Sequence, residues 1–261
     1  MLEGNRIAVA GATGRVGRHV VDVLTERGHE AVPMSRSHGV DIITGEGLGE
    51  ALTGATRIID AATGPSPLEE DATRFFTTAT ENLQAAGRRA GVERIVVVSI
   101  LGADRFTGGY SVAKLVHERA MLAGPVPAHI LRAAQFHEFV AQLMQWGRQG
   151  DVVYLPPMRT QLVAARSVAE ALVDLTVADG PEGGPIWEVA GPRVERLPDV
   201  ARLLASRTGD PSRIEEHSDP SDPDHELYAS GALLPGPDAR LAGPPFAAWL
   251  ASAPVVGAPV S

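Results

Sequence analysis

The chain has 261 residues, 44% of them hydrophobic, no cysteine and a formal net charge of −9. That size and apolar content suit one full-sized domain with a real core. The missing cysteines exclude disulfides, thiol chemistry and cysteine metal sites, and the acidic balance argues against nucleic-acid binding, which needs a cationic footprint. The N-terminal apolar run is too short for a signal peptide or a membrane span, which gives the expectation of a cytoplasmic protein that meets no membrane.

Residues 6–10, Arg-Ile-Ala-Val-Ala, read as a buried strand. The run breaks at Gly11 and resumes with helical spacing, placing Val16, Val20, Val23 and Leu24 on one face. Strand, glycine turn and helix together offer backbone N–H groups and a helix N-terminus to a pyrophosphate. The spacing is Gly11, Gly14, Gly17 rather than G-x-G-x-x-G, but the physics is shared. Gly11 allows the tight turn, Gly14 lets the backbone approach phosphates, and Gly17 lets the helix pack on the strand.

Residues 30–36 read as the second strand, whose end faces the adenine ribose in a dinucleotide fold. An acid there would bind the 2′-hydroxyl. This chain has Ser35 and Arg36, and a guanidinium suits a 2′-phosphate, so NADP(H) is preferred over NAD(H). Residues 41–47 suggest a short strand, 48–52 a helix and 58–62 a core strand that ends in the loop 63–67. A long helix runs over 69–90, and Gly91 ends it.

Ile95-Val96-Val97-Val98 is the β-branched run that parallel sheets favour, with Ser99 at its C-terminal end. After a glycine-containing loop, Tyr110 opens a helix to about Leu122. Residues 128–131 form another strand, and Arg132 at its end suits a structural ion pair. Residues 138–149 look helical, 151–157 extended, and 162–165 a short strand. Ser167 and Glu170 have capping-box spacing and read as structural. Residues 186–190 form the last sheet strand, 197–208 a helix, 210–245 mostly loop and 246–250 a closing helix. His217 and His225 with Asp219, Asp222 and Asp224 form a solvated acidic loop rather than a metal site. Trp146, Trp187 and Trp249 read as packing residues.

Tyr110 and Lys114 are four apart and share a helical face. A phenol near pKa ~10 is a poor acid–base group at neutral pH, and a nearby ammonium lowers that value by favouring the phenolate. With the Ser99 hydroxyl orienting a carbonyl, the set could protonate an oxygen as hydride arrives.

The sequence resembles the atypical short-chain dehydrogenases/reductases of the NmrA-like NAD(P)-binding type. The resemblance rests on residues 11–17, on Arg36, on 82–86 and 91–99, on Tyr110-Ser111-Val112-Ala113-Lys114 and on 131–136. It implies a Rossmann-like α/β fold, a doubly wound parallel sheet with a smaller C-terminal substrate lobe built from 136–160 and 192–250, all within a single NAD(P)-binding domain. By that similarity Gly11, Thr13, Gly14, Arg15, Val16 and Arg36 line the cofactor, and Ala61, Ala62 and Thr63 lie beneath it. Ser99, Tyr110 and Lys114 form the catalytic set, with Lys114 also on the nicotinamide ribose. Gln135, Phe136 and His137 sit near the substrate cavity, His137 as a pocket-lining or partly buried residue rather than a proton shuttle.

Phe76 stands where the family often carries an Asn that completes a proton relay, and NmrA-like members include proteins that bind NADP without turnover. The expectation is an NADPH-dependent reductase of a small carbonyl, quinone or similar electron-poor compound, as a monomer or homodimer. Its rival is an NADP(H)-binding redox sensor. A nucleotide-sugar epimerase would usually need a larger substrate lobe.

Overall fold

A computed structural model of the chain describes residues 5–179, 183–210 and 212–252. In chain order the elements are β1 (Arg6–Ala10), α1 (Gly17–Glu26), β2 (Glu30–Met34), α2 (Leu48–Ala51), β3 (Arg57–Asp60), α3 (Glu69–Ala90), β4 (Arg94–Ile100), α4 (Gly109–Leu122), β5 (Ala128–Ala133) and α5 (Val140–Trp146). They continue with β6 (Arg148–Gln149), β7 (Val152–Leu155), β8 (Arg159–Thr160), α6 (Ala165–Val177), β9 (Ile186–Ala190), β10 (Glu195–Arg196), α7 (Leu197–Thr208), β11 (Arg213–Glu216), α8 (His225–Ser230), β12 (Arg240–Leu241) and α9 (Phe246–Ser252).

Seven strands form a sheet in the order β2-β1-β3-β4-β5-β9-β12, with every pair parallel. Successive residues of a strand face opposite sides, and the two sides bury separate cores. Ile7 and Val9 pack with Val96 and Leu131 beneath α1 and α6. Ala8 and Ala10 pack with Ile58, Ile95, Val97 and Ile130 beneath α3 and α4. Apolar residues on both faces explain why these strands read as continuous Ile/Val runs. The result is a Rossmann-like, doubly wound α/β fold.

Helix α1 buries the predicted face, Val20, Val23 and Leu24. Helix α3 carries Glu69, Glu70 and Asp71 in its first turn and Arg88 and Arg89 in its last, both matched to the helix dipole. It stops at Gly91, whose φ of +76° suits glycine.

The strand expected over 41–47 is absent. Asp41 folds its carboxylate back onto the amides of Ile43 (2.8 Å) and Thr44, and Gly45 N–H donates to Asp41 O at 2.8 Å, so the segment is a turn. The sheet therefore ends at β2. Residues 162–165 form only an isolated bridge, Phe136 to Val163, because α6 already begins at Ala165. Its first amide is capped by Glu138 from a distant turn, at 3.1 and 3.2 Å. Ser167 thus lies inside the helix rather than at its cap, and Glu170 bonds Arg166. Strand β9 is not the sheet's edge, since β12 pairs beyond it. The 210–245 segment holds β11, α8 and β12.

A third core joins α5, β7, α7 and α9 through Val140, Val153, Leu155, Leu197, Ala201 and Phe246. It draws mainly on residues 140–158 and 197–250 and stands apart from the two sheet cores. It is tied to the loop before α4. Asp224 is buried and accepts from Thr107 N (2.7 Å), Thr107 Oγ1 (2.8 Å) and Gly108 N (3.1 Å).

Candidate functional site

In the sheet order, β1 is followed to one side by β2 and to the other by β3. Such a reversal opens a crevice at the C-terminal strand ends, where open parallel sheets take ligands. Its lips are the glycine turn after β1 and residues 61–63 after β3, and they touch. Gly11 has φ +73°, and a Cβ there would lie 2.7 Å from the Ala61 oxygen and the Ala62 Cα. A Cβ on Gly17 would lie 2.1 Å from the Gly11 oxygen, so α1 can start this close to β1 only with glycine. Gly14 meets only the Gly11 oxygen, at 3.1 Å, and is otherwise open.

The amides of Thr13, Arg15 and Val16 have no protein acceptor among the described residues, and α1 carries no acid in its first turn. Unsatisfied N–H groups at a helix start, with no carboxylate competing, fit a pyrophosphate. Arg15 turns away from this turn toward α5. It donates to Gln142 Oε1 at 3.0 Å and lies 5.2 Å from the Phe139 ring centroid. Arg36 is exposed at the end of β2, in the turn after Ser35, and has no ion-pair partner among the described residues.

The second group of candidates gathers at the ends of β3 and β4. The Tyr110 hydroxyl lies 2.7 Å from Thr63 Oγ1. Ser99 Oγ is buried and has no hydrogen-bond partner among the described residues, a costly state for a hydroxyl. Lys114 is buried and donates to the Val98 carbonyl, one residue before Ser99, at 2.8 Å.

The ammonium is not turned to the phenol, as the spacing had suggested. Its other bond goes to His117 Nδ1 at 3.0 Å. Burial consequently raises the Tyr110 phenol above its ordinary value; the Thr63 hydrogen bond opposes this and the Asp60 charge adds to it. Burial also lowers Lys114 to about 8, against the pull of Asp60 and Glu118.

Two residues of this cluster escaped the sequence reading. His117 Nε2 lies 3.2 Å from Asp60 Oδ2, and Asp60 Oδ1 accepts the Ala62 amide at 3.0 Å. Burial lowers His117, helped by the Lys114 charge and opposed by Asp60 and Glu118. Burial pushes Asp60 up, but His117, the Ala62 amide and Lys114 outweigh it and hold the carboxyl below its usual range. Phe76 fills the position expected to hold an Asn. Its ring stacks on His117 at 4.5 Å, lies 4.4 Å beneath the Lys114 ammonium and meets Tyr110 edge-on at 5.8 Å. A signal was available: Lys114 is the single lysine among 23 basic side chains, and His117 follows it at helical spacing.

The remaining candidates lie elsewhere. Arg132 forms the expected ion pair, with Glu118 at 2.7 and 3.0 Å and Asp104 at 3.0 Å. Gln135 accepts from Thr160 at 2.6 Å, and Phe136 is half-buried beside the sheet core. His137 is 1% exposed, donates Nε2–H to the Pro244 carbonyl at 3.0 Å and packs against Phe246 and Trp249. It clasps the closing helix α9, the buried arm of the two readings of this histidine. Trp146 is exposed, not packed in a core. In the acidic loop, Asp224 is spent on Thr107 and Gly108, and His225 Nδ1 donates to the Asp222 carbonyl. Among the described residues no helix is long and apolar enough to cross a membrane.

Residues 11–176 match the model of the NAD(P)H-binding family. The chain belongs to that family. Its doubly wound parallel sheet and glycine turn are what a dinucleotide-binding chain needs. A 3-beta-hydroxysteroid dehydrogenase of Mycolicibacterium neoaurum is 31% identical over 45% of this chain and 42% of that enzyme, so the match spans under half of that relative. MoeE5, solved with UDP-glucose and NAD, superposes with a TM-score of 0.66 at 20% identity, covering 82% of this chain and 85% of that one. A UDP-N-acetylglucosamine 4-epimerase from Bacillus cereus superposes at 0.69 with 18% identity, covering 95% and 94%. These two likenesses speak for the fold alone.

Proposed function

We propose that the protein is an NADPH-dependent reductase, of the NmrA-like type, for a small carbonyl, quinone or similar electron-poor compound. The observation that carries the proposal is the buried, unpartnered Ser99 hydroxyl. It stands at the sheet's ligand edge, beside the carbonyl that holds Lys114. The turn from Gly11 to Val16 would hold the pyrophosphate, Arg36 the 2′-phosphate, and Ala61 to Thr63 the floor beneath the dinucleotide. Bound NADPH would supply the hydride. Ser99 donates a hydrogen bond to the substrate oxygen, Tyr110 gives it the proton, and Thr63 can then donate to the phenolate. Lys114 holds its ammonium on the Val98 carbonyl, one residue before Ser99. The substrate lobe is the third core with its flanking segments, 136–160 and 192–250, where Gln135 and Phe136 lead in. One domain holds both parts, acting on a small molecule as a monomer or homodimer in the cytoplasm.

A second reading is supported by the raised Tyr110 phenol and by Phe76 in the relay position. In it the protein binds NADP(H) as a redox sensor without turnover. NADPH and NADH binding followed by fluorescence, then NADPH consumption against a panel of quinones and aldehydes, separates the two. Binding with consumption establishes the reductase, and tight binding without consumption establishes the sensor. Failure to bind either nucleotide overturns both.

A further inference from the structure

The relay position on α3 is apolar, yet the interior behind it is not. Phe76, the Lys114 ammonium, His117 and Asp60 form one buried stack between α3, α4 and the end of β3. Lys114 and His117 belong to one face of α4, and Asp60 reaches them across the sheet edge. Hydrogen placement in this stack is forced. An ammonium only donates, so His117 Nδ1 must accept; its hydrogen is then on Nε2, which donates to Asp60. The Val98 carbonyl takes a second ammonium hydrogen. At most one remains for any other acceptor.

We propose that Asp60 and His117 are the positioning pair for Lys114: the imidazole fixes where the ammonium sits, and the carboxylate behind it balances the charge. The inference rests on reading Lys114 as part of the set with Ser99 and Tyr110. It goes beyond that reading, because it makes the buried Asp60 the source of the charge balance that a polar residue on α3 does not supply here. A buried ammonium without such a partner would lose its proton or leave the site.

The titratable groups facing Lys114 are Asp60 from β3 and His117 and Glu118 on its own helix. Glu118 is already matched by Arg132 from β5, which also meets Asp104. α3 contributes the Phe76 ring. Asp60 is therefore the nearby carboxylate not already committed to an arginine.

The test exploits the single lysine. Protein labelled with 15N- or 13C-lysine gives one side-chain resonance, whose pH titration reads Lys114 alone, with no substrate. In the wild type the midpoint is expected near 8. Asp60→Asn should lower it by about 1 unit. His117→Gln, which can still accept from the ammonium and donate to Asp60, should leave it nearly in place, and His117→Leu should lower it. If Asp60→Asn does not fold, the Gln and Leu pair at 117 carries the test. An ordinary lysine midpoint in the wild type, or one indifferent to both sites, overturns the proposal.

NADPH consumption by the wild type, measured in parallel, tests the reductase reading separately. A responsive resonance without consumption keeps the pair and removes the reductase. Consumption with an indifferent resonance does the reverse.

Discussion

The two halves of the crevice are built from different materials. The turn after β1 is backbone: three glycines, free amides and a helix end, all within seven residues of chain. The cluster at the ends of β3 and β4 is side chain, and Asp60, Ser99, Tyr110, Lys114 and His117 come from three separate elements. A backbone site depends on sterics, because its amides carry no titrating proton. A side-chain site in a buried setting depends on charge, because each neighbour shifts the others. The first should fail when a methyl group is added and ignore pH. The second should tolerate isosteric change only where hydrogen bonds and charge are preserved.

The sharpest division between the halves comes from Tyr110→Phe. Loss of a positioned proton donor costs on the order of 10²–10⁴ in turnover. The ring remains against Phe76 and the turn is untouched, so NADPH affinity stays within about twofold of the wild type. Steady-state kinetics with a fluorescence titration measures both. Unchanged turnover would remove the proton-donor assignment.

Gly17→Ala is the converse. Its Cβ would sit 2.1 Å from the Gly11 oxygen, so the turn must open. Overpacking of this kind costs about 1–3 kcal/mol, to be seen as a lower thermal midpoint, with NADPH affinity falling tenfold or more. The Lys114 titration should keep its midpoint. A variant that keeps wild-type affinity would show that the turn does not hold the dinucleotide.

Arg36→Ala probes the outermost part of the backbone half, where a side chain intervenes. The guanidinium is exposed and has no ion-pair partner among the described residues, so the expected loss is near tenfold for NADPH, about 1.4 kcal/mol, and negligible for NADH. Equal effects on both nucleotides would refute the NADP preference.

The same division explains what the sequence could disclose. Glycine spacing is a statement about backbone, and its consequences stay local, so the turn, α1 and the limits of α3 were legible. The Ile/Val runs announced strands buried on both faces. Ile42-Ile43 looked like one more, but Asp41 captures their amides, a side-chain competition that hydrophobic patterning does not register. The start of α6 was misplaced for a related reason, since its cap is Glu138, distant in the chain. Tyr110 and Lys114 were visible as a helical pair. What Lys114 does with its hydrogens was not, because they go to Val98, brought in by sheet register rather than by spacing, and to His117, which Asp60 of β3 backs.

Asp224→Asn asks how far the side-chain half extends. Asp224 belongs to the segment after β11, yet both of its oxygens accept from the chain just before α4, where they stand in for a missing N-cap. Glu69 of α3 takes the next amide, Gly109 N, at 2.7 Å. The start of the Tyr110 helix is therefore held by one carboxylate from the lobe and one from the sheet domain. An asparagine keeps one oxygen for the two amides but loses the charge, and its NH2 meets Thr107 Oγ1 only if that hydrogen bond reverses. Cap losses run about 0.5–2 kcal/mol, and this partial one should fall at the low end. Because Tyr110 follows within two residues, turnover should drop a few-fold, while NADPH affinity, which depends on the distant glycine turn, stays constant. A fall in affinity with turnover intact would mean that the lobe couples to the backbone half instead, and the separation of the two halves would be lost.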